Sequence, residues 1–196
     1  MNRAIEIFKK YKGTLKTSQA IALGISPRTL YALRDTGLIR PISRGIYQLT
    51  DQELPGDPDL IRVALRIPKA VICLISALNF YGLTTHIPHK VYIALPQSAE
   101  KPRIEFPPLD IIWLTEKPYY AGITEKQVDG VPIKIYSREK TIADCFKFRN
   151  KIGIDVALDA LKDYLKLPDR QLDQLLEYAR INRVESLLSR YLEALL

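Results

Sequence analysis

Thr17-Ser-Gln-Ala-Ile-Ala-Leu-Gly-Ile-Ser-Pro-Arg-Thr-Leu-Tyr-Ala-Leu-Arg-Asp-Thr-Gly37 decides the fold of the N-terminal quarter of this chain. Thr17 is placed to cap a short helix over Ser18–Leu23, which Gly24 closes. Ser26 caps a second helix and Pro27 takes its first position, where no amide is needed and φ is already helical. That helix runs through Arg28–Asp35 and stops at Gly37. A short helix, a tight turn and a capped helix make a helix-turn-helix. At about 100° per residue, Leu30 and Leu33 mark its buried side. Arg28, Tyr31, Ala32 and Asp35 then face away, with Thr29 and Arg34 at the boundary.

The flanking sequence completes the motif. Ile5, Phe8 and Tyr11 recur at helical spacing, so a first helix is expected over Arg3–Tyr11, ended by Gly13. After Gly37, the β-rich runs Leu38–Ile42 and Ile46–Leu49 flank Ser43-Arg44-Gly45, where Gly45 suits a hairpin turn. Pro41 has no amide hydrogen to donate to a ladder and confines the first run to a sheet edge. The hairpin reads as a wing with Arg44 at its tip and Arg40 on its approach.

Charge supports the same reading. Residues 1–50 hold nine Lys and Arg (Arg3, Lys9, Lys10, Lys12, Lys16, Arg28, Arg34, Arg40, Arg44) against Glu6 and Asp35, so nine less two leaves +7, the net charge of the whole chain. The other 146 residues carry 20 basic and 20 acidic side chains. Charge clusters are usually solvated faces. Here, helix, turn, capped helix and basic hairpin occur in order on the one cationic segment, which is the footprint of duplex DNA binding.

The 196 residues fit a head over 1–50 and a larger domain over 51–196. The polar, Pro- and Gly-rich run at 50–58 reads as the linker, with Asp57 and Pro58 opening a helix to about Arg66. Ala70–Tyr81 reads as a buried helix, and Val91–Leu95, Ile111–Leu114 and Val131–Tyr136 as strands. Helices follow over Thr141–Phe148, Ile154–Leu165, Pro168–Ala179 and Val184–Leu195, with breaks at Pro168 and Asn182. The fold class is therefore α+β: an N-terminal winged helix-turn-helix, then a larger α+β domain with a small central sheet and a helical C-terminus. No apolar run approaches the roughly 18–20 residues of a membrane span, and Met1–Lys10 lacks the uninterrupted apolar stretch expected of a signal peptide. Cys73 and Cys145 lie in apolar sequence and read as buried free thiols. A cytoplasmic protein without membrane contact is expected.

Several blocks resemble AbiEi-type antitoxins of type IV toxin–antitoxin systems. Gly13-Thr-Leu-Lys-Thr-Ser-Gln-Ala20, the pair Leu30 and Leu33, Gly37-Leu-Ile-Arg40 and Arg44-Gly-Ile-Tyr47 resemble the family's winged helix. Ser76-Ala-Leu-Asn-Phe-Tyr-Gly-Leu83, Ile87-Pro88, Val91-Tyr-Ile-Ala-Leu-Pro96 and Ile135-Tyr-Ser-Arg-Glu-Lys-Thr-Ile-Ala-Asp144 are similar to blocks of its second domain. The resemblance implies an antitoxin linked to abortive infection and phage resistance. Such a protein represses its own operon through the winged helix and counters a nucleotidyltransferase-like toxin through the C-terminal domain.

Site expectations follow. Arg28, Thr29 and Tyr31 are candidates for reading base edges in operator DNA with inverted repeats. Lys16, Thr17, Ser18, Arg34, Arg40 and Arg44 are candidates for its backbone or minor groove. In the second domain Lys147, Arg149 and Lys151 could form a basic stripe facing the toxin, or a plain solvated face. Trp113 reads as core, while the adjacent Tyr119 and Tyr120 could mark a partner surface. Arg138, Glu139 and Lys140 read as a charged helix start, with Glu139 favoured by the dipole. Ser76 lacks a nucleophile elbow and reads as a packing residue.

Enzymatic chemistry finds little support. His86 and His89 have no ligand-type neighbours at metal spacing, and no Gly-rich phosphate loop occurs, so neither metal nor cofactor is expected. A Mg²⁺ nuclease needs clustered carboxylates with a strand lysine; Asp110 and Lys134 are available, but Pro132 stands where the carboxylate at i−2 belongs. A non-enzymatic antitoxin and repressor leads. The alternative is a plain winged-helix transcriptional regulator whose C-terminal domain senses a ligand or dimerises.

Overall fold

A computed structural model of the chain describes residues 2–11, 13–50 and 57–195. Over 51–56 the expected linker lies outside the described residues. By backbone proximity the chain divides into two compact units: one runs to Leu65 and includes Gln127–Ile133, and the other holds Arg66–Lys126 and Lys134 onward.

In the first unit, α1 (Asn2–Lys10) precedes β1 (Thr14–Lys16), α2 (Thr17–Ala22), α3 (Pro27–Asp35), β2 (Ile39–Ser43), β3 (Ile46–Leu49) and α4 (Pro58–Arg66). The strands form an antiparallel sheet in the order β1-β3-β2, so Pro41 sits on an edge strand as its missing amide requires. Leu15 pairs with Tyr47 on one side of β3, and Pro41 pairs with Tyr47 on the other. Phe8, Leu15, Ala20, Ile25, Leu30, Leu33, Ile39 and Leu49 close around each other as the core. This is the winged helix read from the sequence, with one strand more than the sequence betrayed. Asp57 caps α4 as expected, its Oδ1 accepting from the Leu60 amide at 3.1 Å. Arg62 of α4 donates to the Ile42 carbonyl through Nε at 3.1 Å and Nη2 at 2.7 Å.

Thr17 does not cap α2. Lys16 holds the N-cap position with extended backbone, and its amide donates to Gln19 Oε1 at 3.1 Å. β1 runs directly into the helix, so the cap falls one residue earlier and Thr17 is free for another partner.

A mixed sheet in the order β6-β5-β4-β8-β7 is made of β4 (Val71–Ile72), β5 (Val91–Pro96), β6 (Leu109–Leu114), β7 (Ile123–Val128) and β8 (Val131–Tyr136), all of it in the second unit except Gln127–Ile133. Helices α5 (Leu74–Phe80), α6 (Glu116–Tyr120), α7 (Arg138–Lys147), α8 (Arg149–Ile152), α9 (Ile154–Leu165), α10 (Leu172–Ile181) and α11 (Glu185–Leu195) complete it. Val71, Ala94, Ile112, Leu114 and Tyr136 from the sheet pack with Ile142, Phe146, Ala157, Leu161, Leu175 and Leu188 from the helices. The molecule is α+β, a winged helix followed by a domain with a small sheet and a helical C-terminus.

Further sequence readings need correction. The helix expected over Ala70–Tyr81 begins only at Leu74, because Val71 and Ile72 form a strand that pairs with β5 on one side and β8 on the other. The helix expected from Pro168 starts at Leu172. Trp113 is not core: it is 40 % exposed on β6, an edge strand of the sheet. Arg138, Glu139 and Lys140 do open α7 as expected, and Glu139 and Lys140 are buried there.

Candidate nucleic-acid interface

The start of α3 is fixed by its cap. Ser26 Oγ accepts from the Thr29 amide at 3.1 Å, and Pro27 follows at the first helical position. Leu30 and Leu33 are buried in the core of the winged helix, which turns Arg28, Tyr31, Ala32 and Asp35 outward. Arg28 is exposed and makes no ion pair among the described residues. Its guanidinium is free for a bidentate contact with a base or a phosphate.

Tyr31 is 44 % exposed, and the Arg34 guanidinium lies 5.0 Å from its ring centroid. Arg34 is also bound to Asp35, with Nη2 at 2.7 Å and Nε at 2.8 Å from Oδ1. Its charge is thereby partly met within the helix. The Thr29 hydroxyl lies 2.8 Å from Ser26 Oγ, so the group Thr29 has left for a base is its methyl.

The wing is attached to α2 through Thr17. Its amide and Oγ1 donate to the Gly45 carbonyl at 2.8 and 3.2 Å. Gly45 has φ +75°, a conformation that a side chain would strain, and it turns the hairpin beside exposed Arg44. The structure thus brings the start of α2, with Thr17 and exposed Ser18, together with the wing tip. Lys16 is half-buried at the same junction. Arg40 is engaged: Nη2 and Nε donate to buried Gln48 Oε1 at 3.0 and 3.3 Å across the β2–β3 ladder.

The basic stripe of the second unit is less available than its sequence implies. Lys151 Nζ is paired with Asp110 Oδ1 at 2.5 Å. Arg149 donates to the Phe146 carbonyl at 2.9 Å, closing the end of α7. Lys147 is half-buried, with its ammonium 5.8 Å from the Phe148 ring centroid, and burial lowers its pKa. Asp110 is spent on Lys151, and Lys134 donates to the Pro68 carbonyl at 3.0 Å. Among the described residues no three His, Cys, Asp or Glu side chains gather as metal ligands.

Sequence reading missed a buried polar hub. Lys140 Nζ lies 2.5 and 2.6 Å from the two Asp144 oxygens and 4.2 Å from the Tyr136 ring centroid. Asn182 Nδ2 donates to Asp144 Oδ1 at 2.7 Å. Glu139 Oε1 accepts from Tyr164 at 2.9 Å, and the Tyr164 oxygen in turn accepts from the Gln171 amide at 2.6 Å. These bonds tie α7 to β8, α9 and the ends of α10. Gly122 lets the chain pass the hub, since a Cβ there would stand 2.6 Å from Lys140 Cβ. The one signal in the sequence is the i, i+4 spacing of Lys140 and Asp144 within an apolar helix.

The remaining reactive groups are accounted for by packing. Cys73 and Cys145 are buried free thiols whose pKa values burial raises well above the usual range. Ser76 Oγ accepts from the Tyr92 amide at 3.0 Å, joining α5 to β5. Tyr119 is buried and bonded to the Lys69 carbonyl at 2.5 Å, while Tyr120 beside it is 66 % exposed. No helix among the described residues is long and apolar enough to cross a membrane.

None of the curated proteins matches the chain. Among solved structures, the RV2827C protein from Mycobacterium tuberculosis is similar at 11 % sequence identity and a TM-score of 0.49, over 93 % of this chain and 76 % of that one. Over residues 2–50, the extent of the helix-turn-helix and its wing, the chain matches the family of transcriptional regulators described as AbiEi antitoxins.

Proposed function

We propose that the chain is the antitoxin and autorepressor of a type IV toxin–antitoxin pair acting in abortive infection and phage resistance. Residues 1–50 hold operator DNA with inverted repeats and repress the chain's own operon. Residues 51–196 counter a cognate nucleotidyltransferase-like toxin in the cytoplasm, without catalysis by the antitoxin itself. The observation that carries this reading is a capped α3 exposing Arg28 and Tyr31 on the segment that holds the entire net charge, beside a wing pinned by Thr17. The family match over residues 2–50 supports the same role.

Arg28, Tyr31 and the Thr29 methyl read base edges, and Arg44, Lys16 and Ser18 meet phosphates. Arg34 and Arg40 serve from their intramolecular partners, as fixed rather than searching charges. Lys147, Arg149 and Lys151 remain the candidates for the face that opposes the toxin.

A second reading is favoured by the extent of the family match, which includes none of the body. In it the chain is a plain winged-helix regulator whose C-terminal domain senses a ligand or dimerises. The full chain carrying Arg28→Ala and Arg44→Ala separates the two. An antitoxin with this change loses repression yet still rescues cells expressing the toxin of its operon. A plain regulator loses repression, and neither it nor the parent rescues.

A further inference from the structure

Arg44 stands between two backbone carbonyls that are each held from outside the hairpin. On its C-terminal side the Gly45 carbonyl accepts from the Thr17 amide and hydroxyl. On its N-terminal side β2 is irregular: Pro41 pairs with Tyr47 and Ser43 with Ile46, so Ile42 has no partner in the ladder. The extra residue of such a bulge leaves the regular pairing, and its carbonyl must find a donor elsewhere.

Arg62 is that donor. Its Nε and Nη2 lie 3.1 and 2.7 Å from the Ile42 oxygen, and its Nη1 lies 3.4 Å from Oδ1 of Asp59, one turn back on α4. The arginine side chain is only 22 % exposed, so these charge-assisted bonds are partly shielded from water. The helix that carries it is itself fixed. Asp57 caps α4, Pro58 opens it, and Leu60, Ile61 and Val63 are buried along it. Its residues up to Leu65 belong to the same compact unit as the wing, although they lie beyond the residues 2–50 of the family match.

We propose that Arg62 is a positioning residue for DNA recognition: by closing the bulge at Ile42 it fixes where the wing presents Arg44. This rests on the DNA-binding reading of the winged helix. Two helices then hold the tip, α2 through Thr17 and α4 through Arg62, one on each strand of the hairpin. A tip held on one strand alone keeps conformational freedom, which binding must remove at a cost in affinity. Arg62 acts through Arg44, since its own donors are directed at the Ile42 carbonyl and at Asp59. Lysine in its place offers a single ammonium instead of a planar fork, so it restores the anchor only in part.

Fluorescence anisotropy of the full chain with a duplex from its own promoter tests this in four proteins: the parent, Arg62→Met, Arg44→Ala and the two changes combined. Methionine keeps an apolar stem and removes the donors. Arg62→Met is expected to weaken binding by about five- to tenfold, with Arg62→Lys between it and the parent. With Arg44 already alanine, Arg62→Met should cost little more. Its slope of log affinity against log salt should approach that of Arg44→Ala, while preference among single-base operator variants stays that of the parent. A merely structural role predicts the reverse, an equal loss in both backgrounds. Parent binding that Arg62→Met leaves unchanged, or lowers by the same factor with and without Arg44, overturns the role of Arg62 and leaves the DNA-binding reading standing. No promoter binding by the parent overturns both.

Discussion

Arg28 and Arg44 are both exposed cations, and the proposed DNA-binding role gives them different tasks. Arg28 lies in the first turn of α3, where the proposed role puts its guanidinium at a base edge; Arg44 sits at the wing tip, where the same proposal puts it on phosphate or the minor groove. Arg28→Ala is expected to flatten preference at one base position, a loss of about 1–3 kcal/mol in discrimination. Arg44→Ala should weaken all duplexes alike. Competition binding against single-base operator variants distinguishes the two. The same scale holds Lys140, whose charge is met by Asp144 inside the core. Breaking one side of a buried pair costs about 3–5 kcal/mol, whereas replacing both sides with apolar groups is often neutral. Lys140→Met should therefore lower chemical-denaturation stability sharply, and the Lys140→Met, Asp144→Leu double variant should recover much of it. Asn182 limits the recovery, since its Oδ1 already lacks a partner among the described residues and its Nδ2 would lose Asp144.

At the scale of elements, the cap and the wing anchor divide the work of the proposed reading head. Ser26→Ala removes the acceptor for the Thr29 amide and is expected to destabilise the chain by about 1 kcal/mol, read from its denaturation midpoint. Thr17→Val keeps the shape but deletes the hydroxyl bond to Gly45, so about 1 kcal/mol of anchoring is lost. Operator affinity should fall several-fold across all sequences while circular dichroism is unchanged. The head was legible because its signals are local: a serine followed by proline, two leucines at helical spacing, and Arg-Gly between β-rich runs. What escaped was short or ambiguous. Thr14-Leu15-Lys16 is too brief to show alternation, and its place in the sheet comes from β3 across the chain. Val71 and Ile72 sit in an apolar run whose helix and strand readings are equivalent by periodicity. β7, Ile-Thr-Glu-Lys-Gln-Val, is mostly polar and exposed, so no buried face marks it.

Over the whole molecule, charge and hydrogen bonding give the two units different characters. The head keeps Arg28 and Arg44 unpaired among the described residues, whereas the body commits several of its charges internally: Arg138 to Asp169, Lys151 to Asp110, Lys140 to Asp144 and Arg180 to Glu185. The sequence carried this asymmetry in its counts but not its partners, since Lys140 and Asn182 are joined only when Asp144 brings α7 against the α10–α11 turn. Long-range electrostatics therefore favour polyanion encounter through the head. Each phosphate contact contributes about −0.9 to the slope of log affinity against log salt. The most direct measurement is fluorescence anisotropy of the full chain with a duplex from its own promoter, from about 50 to 200 mM salt. Affinity should fall steeply and linearly on logarithmic axes, with a slope shallower by about one in Arg44→Ala. Absence of promoter binding, or an affinity indifferent to salt and to Arg44, would contradict the assignment of residues 1–50 as a DNA-reading head.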